Sequence, residues 1–133
     1  MNLSEYFQEK SGFGVLATAA GSGEVDTAVF SAPHVNEDGT IAFIMRDRLT
    51  RKNLLSNPFA SYLFVESGNH YKGLRLFLKK IKEDDNPELI ASMTRRHLSP
   101  EEDKAKGPKS MVYFSVGKIL PLIGAGDPGV SPL

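Results

Sequence analysis

Apolar residues recur along the chain in two rhythms, a helical spacing of three to four and a strand alternation of two, punctuated by glycine, proline and asparagine. In "LSEYFQEK" (residues 3–10), Leu3, Tyr6 and Phe7 share one helical face. Ser4 is the expected N-cap, and the glycines of "SGFG" end the helix. "FGVLATAA" (13–20) follows as a strand, "GSGE" as a tight turn and "VDTAVFSAPHV" (25–35) as a second extended segment. "NEDG" then has hairpin-turn composition, with Gly39 able to take positive φ. "TIAFIM" (40–45) holds a run of consecutive apolar residues, which predicts a strand covered on both faces, as in a barrel wall or an interface.

The next stretch, "RDRLTRKNLLSNP" (46–58), breaks this pattern with four basic residues. Thr50 is the expected N-cap of a short helix whose Leu54 and Leu55 face the core. Asn57-Pro58 ends it, because proline disfavours helix at the preceding residue. "FASYLFVE" is a strand and "SGN" a loop. "HYKGLRLFLKKIKE" predicts a long strand in which Leu74, Leu76 and Leu78 alternate with Arg75, Phe77 and Lys79. The alternation fails at Ile81, which predicts a bulge near Lys79 and Lys80.

"NPELIASMTRRHL" predicts a helix with Asn86 as cap, Pro87 at the first position and Glu88 complementing the dipole. Cations in "TRRHL" complement its far end. "SPEEDKAK" opens another helical turn with Ser99 and the capping-box Glu102. "SMVYFSVGKIL" is the last strand, and the Gly- and Pro-rich tail, residues 124–133, is expected to be flexible. The sum is a mainly β single domain over residues 1–133: six antiparallel strands in a closed or partly closed barrel, with a few short helices and no internal repeat.

Composition narrows the function classes. Sixteen basic residues balance sixteen acidic ones, so net charge gives no support to a nucleic-acid or membrane-surface role, while a local basic site stays open. The absence of cysteine excludes disulfides, thiolate metal sites and a cysteine nucleophile. His34, His70 and His97 lack metal-ligand spacing, so no metal is expected. "MNLSEYFQEK" lacks the basic-then-apolar order of a secretory signal, and no apolar run approaches the roughly 18 residues of a membrane span. A soluble cytoplasmic protein is expected.

The basic stretch is the main chemical signal. A helix start offers unpaired N–H groups and a partial positive charge that suit a phosphate. Thr50 would add a hydroxyl, Arg51 a guanidinium fork and Lys52 an ammonium. Cations at a helix N-terminus oppose the dipole, and a bound anion would relieve that. The competing reading is a solvated helix start that is merely basic.

The order of strand "VDTAVFSAPHV", turn "NEDG", strand "TIAFIM", then "TRK…NP" (Thr50, Arg51, Lys52, Asn57, Pro58) and strand "FASYLFV" resembles the pyridoxamine 5′-phosphate oxidase-like flavoproteins, the FMN-binding split β-barrels. The resemblance covers residues 13–64 well and the last strand loosely. It implies a small, FMN-binding split barrel with non-covalent FMN. The phosphate would lie against Arg51 and Lys52, with Thr50 and Asn53 close by. The ring would lie on the backbone of Val29, Phe30, Ser31 and Ala32, with Ile44 and Met45 opposite, and Arg46 and Arg48 adding to the phosphate field or pairing with an acid such as Asp47. It also implies a homodimer with the flavin at the subunit interface. The oxidases themselves carry an Arg and a Lys near the positions held here by Ala28 and Pro33, and have a longer C-terminal region. A true pyridoxamine phosphate oxidase is therefore not expected.

An FMN-dependent oxidoreductase is the leading expectation. The alternatives are a non-catalytic electron-transfer flavoprotein and the same barrel holding deazaflavin or haem. No acid–base residue stands out. His34, His70 and Tyr71, and Arg75 are candidates for the flavin or substrate surroundings, each explained equally well by loop or solvent-facing placement. "KEDD" and "EED" read as solvated acids.

Overall fold

The computed structural model describes residues 1–68, 71–95 and 98–133. Its architecture is one curled antiparallel sheet of seven strands, in the order β2-β1-β5-β6-β7-β4-β3. The strands are β1 (Gly12–Ala19), β2 (Val25–Phe30), β3 (His34–Val35), β4 (Ile41–Arg46), β5 (Phe59–Glu66), β6 (Gly73–Asp84) and β7 (Lys109–Pro121). Short helices α1 (Leu3–Glu9), α2 (Leu49–Ser56), α3 (Pro87–Met93) and α4 (Pro100–Ala105) sit between or beside them. None is long and apolar enough to cross a membrane.

The expected count of six strands becomes seven because the second extended segment breaks. Ser31, Ala32 and Pro33 leave the sheet between β2 and β3. Proline has no N–H to give to a ladder, so such a segment interrupts pairing readily. The break has a topological effect. β2 and β3 are the two edges of the sheet. The three residues therefore carry the chain from one edge to the other, and the curled sheet nearly closes.

Inward-facing alternation builds the core. Leu16, Tyr62, Phe64, Leu74, Leu76, Leu78, Val112 and Phe114 are buried in one cluster with Ile41, Phe43 and Met45 of β4. The opposite face of β4 is also covered: Ala42 packs with Ile90 of α3 and Met111, and Ile44 lies against them. Consecutive apolar residues thus reflect burial on both sides of one strand. The bulge in β6 is present as a register shift between Lys80 and Lys82, opposite Phe114 and Tyr113. Ile81 is the extra residue and stays exposed.

Several helix details differ from expectation. Asn2, not Ser4, caps α1, its side chain accepting from the Glu5 N–H while Glu5 reaches back to the Asn2 N–H. α2 begins earlier, so Arg48 occupies the cap position, without a side-chain cap bond, and Thr50 lies inside the first turn. Leu54 is buried but Leu55 is exposed. α3 ends at Met93; Asn69, His70, Arg96 and His97, which include part of the "TRRHL" helix end, lie outside the described residues. The tail returns to the N-terminus: Ser131 bridges Asn2 in parallel, and Arg75 donates to the carbonyls of Pro121 and Gly124.

Candidate functional site

The near-closure leaves a split. β2 pairs with β1 on one side only, and β4 beyond Ala42 pairs with β7 but not with β3. A cavity of about 420 Å³ lies here, lined by Asp26, Ala28, Val29 and Phe30 from β2, Ile44, Met45 and Arg46 from β4, and Arg48, Leu49 and Thr50 at the start of α2. Two strand edges with unpaired peptide groups therefore flank an apolar slot. One end of that slot meets a helix N-terminus whose first turn has no side-chain cap.

A second cavity, about 270 Å³, continues past the strand break. It shares Phe30, Ile44, Arg46 and Lys106 with the first and adds Ser31, Ala32, His34 and Arg95. The fold thus gathers Val29, Phe30, Ser31, Ala32, Ile44, Met45, Arg46 and Thr50 along one continuous trough.

Three residues expected beside them lie elsewhere on α2. Asn53 is buried and its amide donates to the Thr18 hydroxyl at 3.1 Å. Lys52 is exposed. Arg51 lines a separate cavity of about 740 Å³ with Asp47, Asp85 and Asp103. Its guanidinium pairs with Asp47 at 3.1 Å and Glu83 at 3.0 Å, and Glu83 also holds Lys80 at 3.1 Å. The hydrogen bond that Arg51 donates to Glu83 is the main reason its pKa is raised. Yet the Arg51 Nε–H is buried without an acceptor.

The acids are therefore less solvated than their sequence runs suggest. Besides Glu83, Asp103 of "EED" pairs with Arg46 at 2.7 Å and Lys109 at 3.1 Å. These bonds hold its carboxyl below the ordinary carboxylate range. Arg46 also donates to the carbonyls of Asp103 and Gly107, which tethers the end of α4 to β4. This tether brings Lys106 to the trough. Lys106 and Arg95 lie far from β2, β4 and α2 in sequence, where they read as helix-end cations and nothing marked them for the trough. His34 is half-buried; burial, then the Arg95 charge, lowers its pKa.

A buried tyrosine braces the β2 wall. The Tyr62 hydroxyl crosses the core and donates to the Phe30 carbonyl at 2.9 Å. Phe43 packs against both rings. Burial raises the Tyr62 pKa, so the hydroxyl remains a donor.

Comparison with solved structures finds the same curled sheet in an FMN-binding protein from Syntrophomonas wolfei subsp. wolfei (TM-score 0.70, 22% identity, covering 90% of this chain and 83% of that one). An F420 reductase has it as well (TM-score 0.66, 16% identity, 86% and 94%). So does a candidate pyridoxamine 5′-phosphate oxidase from Lactobacillus delbrueckii (TM-score 0.63, 9% identity, 87% and 88%). The chain has the split-barrel fold of the pyridoxamine 5′-phosphate oxidase-like proteins. No protein-family model and no curated protein matches it in sequence. In this split barrel the trough occupies the gap between the two sheet edges, where Arg46, Arg48, Lys106 and unpaired peptide groups meet.

Proposed function

We propose that this split barrel is a cytoplasmic FMN-binding oxidoreductase, acting as a homodimer with the flavin at the subunit interface. The observation carrying this reading is the split itself: an apolar slot between unpaired strand edges, leading to an uncapped, basic helix start. The donor set fits FMN in each part. Phe30 and Ile44 offer apolar surface for the ring, and peptide groups of β2 and β4, Val29 and Met45 among them, can bond its polar edge. The α2 start offers free N–H groups, the Thr50 hydroxyl and the Arg48 guanidinium to the phosphate. On the other flank, the unpartnered Arg51 Nε–H leaves that guanidinium one acceptor short.

When bound, the flavin supplies hydride and electron transfer. The protein's own residues then anchor, orient and shield. Tyr62 fixes the β2 wall through the Phe30 carbonyl, and the peptide groups of the strand edges would hold the ring. No side chain is assigned as an acid or base.

The absorption spectrum of freshly purified protein tests the reading. A flavin band is expected, with FMN restored by titration after its removal and turnover of a reduced nicotinamide with an added acceptor. The variant Arg51→Ala with Lys52→Ala should bind FMN at least tenfold more weakly, since each charge-assisted contact contributes ~1.5–3 kcal/mol. Unchanged titration in the folded double variant takes Arg51 and Lys52 out of the phosphate contacts and leaves them to Arg48, Thr50 and the α2 N–H groups. A deazaflavin in the same slot is the second reading, favoured by the likeness to an F420 reductase. Mass spectrometry of the released cofactor separates the two.

A further inference from the structure

We propose that the smaller cavity beside the split is a subsite for the anionic head of a small, otherwise apolar organic acid. As a subsite for the oxidoreductase's substrate it rests on the flavin reading above; as an anion site it does not. Its charge is one-sided. Arg46, Arg95, Lys106 and Lys109 line it, and no Asp or Glu does among the described residues. Arg46 and Lys109 share the single carboxylate of Asp103. Arg95 and Lys106 have no carboxylate within ion-pair distance among the described residues.

Arg95 uses two of its N–H groups on the Ala32 and Pro33 carbonyls. A guanidinium carries five donors, so the fork is held in place at the cavity with donors remaining. The positive field is felt locally, since the Arg95 charge adds to burial in depressing the His34 pKa. A cavity whose cations outnumber its acids favours an anion by charge, and its walls limit that anion's size and body. Phe30, Ile44, Met93 and Leu98 supply apolar surface. At about 270 Å³, the cavity falls below the ~300–1,000 Å³ typical for drug-sized ligands, so its occupant is small.

The cofactor phosphate does not account for this cluster. Arg48 and Thr50, at the helix start, line only the larger cavity, whereas His34 and Arg95 line only the smaller of these two. The continuity of the two through Phe30 and Ile44 brings the apolar body of a bound acid alongside a ring lying on β2 and β4.

Benzoate, phenyl phosphate and neutral benzamide, titrated by isothermal calorimetry into FMN-free and FMN-loaded protein, test the site. Both anions should bind, benzamide at least tenfold more weakly, and FMN loading should leave benzoate binding in place. The two anions distinguish a carboxylate from a phosphate preference. Arg95→Ala should weaken benzoate at least tenfold while FMN affinity holds, and Arg95→Lys should recover part of the loss. If Arg95→Ala does not fold, Lys106→Ala, exposed at the end of α4, gives the same readout for benzoate. Equal binding of benzoate and benzamide, indifference to both substitutions, or exclusion of benzoate by FMN overturns the proposal. Failure of FMN to bind, with benzoate binding intact and Arg95-dependent, overturns the flavin reading and supports the anion site.

Discussion

The ion pairs of Arg51 are measurable apart from the phosphate contact proposed for it. It forks onto Asp47 and Glu83, and Glu83 is mostly buried. Arg51→Ala leaves Glu83 with Lys80 alone, which should cost ~1–3 kcal/mol in urea unfolding, because a sheltered carboxylate loses its best partner. Lys52 is exposed and has no ion pair among the described residues, so Lys52→Ala should stay within about 0.5 kcal/mol of the parent. Its effect on FMN titration therefore reports phosphate binding without a stability contribution. His34 predicts a pH dependence. Its folded pKa is lowered, so the unfolded chain takes up the proton first, and the stability it contributes is present above the ordinary histidine value of about 6.5. That contribution is lost as pH falls through the folded pKa. His34→Gln should flatten the decline in melting temperature that begins below about pH 6.5, above the range where carboxylates titrate; an identical pH profile in the variant would show that His34 does not contribute.

At the scale of elements, the wall of the trough depends on a glycine one strand away. A Cβ on Gly14 would stand 1.9 Å from the Tyr62 hydroxyl oxygen. Tyr62 is fully buried and has little room to retreat. Gly14→Ala should destabilise the fold by ~1–3 kcal/mol through overpacking, and should weaken FMN binding by displacing the hydroxyl that holds the Phe30 carbonyl. A variant as stable as the parent with unaltered FMN titration would show that Tyr62 is not a brace. The β2–β3 break works at the same scale: three residues without sheet pairing convert one long segment into the two edges of the sheet.

At the scale of the whole molecule, the sheet's outer face calls for a partner. The register aligns Val29, Val15 and Leu63 across β2, β1 and β5, and Phe13 and Phe77 are exposed on the same sheet. An apolar sheet face is ordinarily covered by another layer. The homodimer proposed above would cover it with a second copy. Light scattering after size exclusion should give about twice the 14.6 kDa chain mass, and Leu63→Glu should give the monomer. A parent that elutes as a monomer at micromolar concentration would leave the face without that partner.

Strand alternation in β1, β5, β6 and β7, the doubly covered β4, the Asn57-Pro58 stop and the bulge before Lys82 were all legible in the sequence, because each follows from local periodicity or backbone chemistry. The splitting of the second extended segment was not. Whether residues 31–33 pair depends on what lies beside them, and only the curled sheet sets that. The trough had the same division. Its β2, β4 and α2 residues follow one another in the chain and carried a recognisable order. Lys106 and Arg95 reach it from beyond β6, through the tether of Arg46 to Asp103 and Gly107 and the bonds of Arg95 to Ala32 and Pro33. The larger partner of Arg51 was equally invisible: Asp47 stands four residues before it in the chain, but Glu83 becomes its neighbour only when β6 folds back past α2. The sequence by itself determined a β-rich chain with a basic helix start, because periodicity, caps and turns act over a few residues. The tertiary structure alone decided which cations face the trough, which are neutralised and where the sheet stays open, because charge pairing and edge exposure depend on contacts between residues distant in the chain.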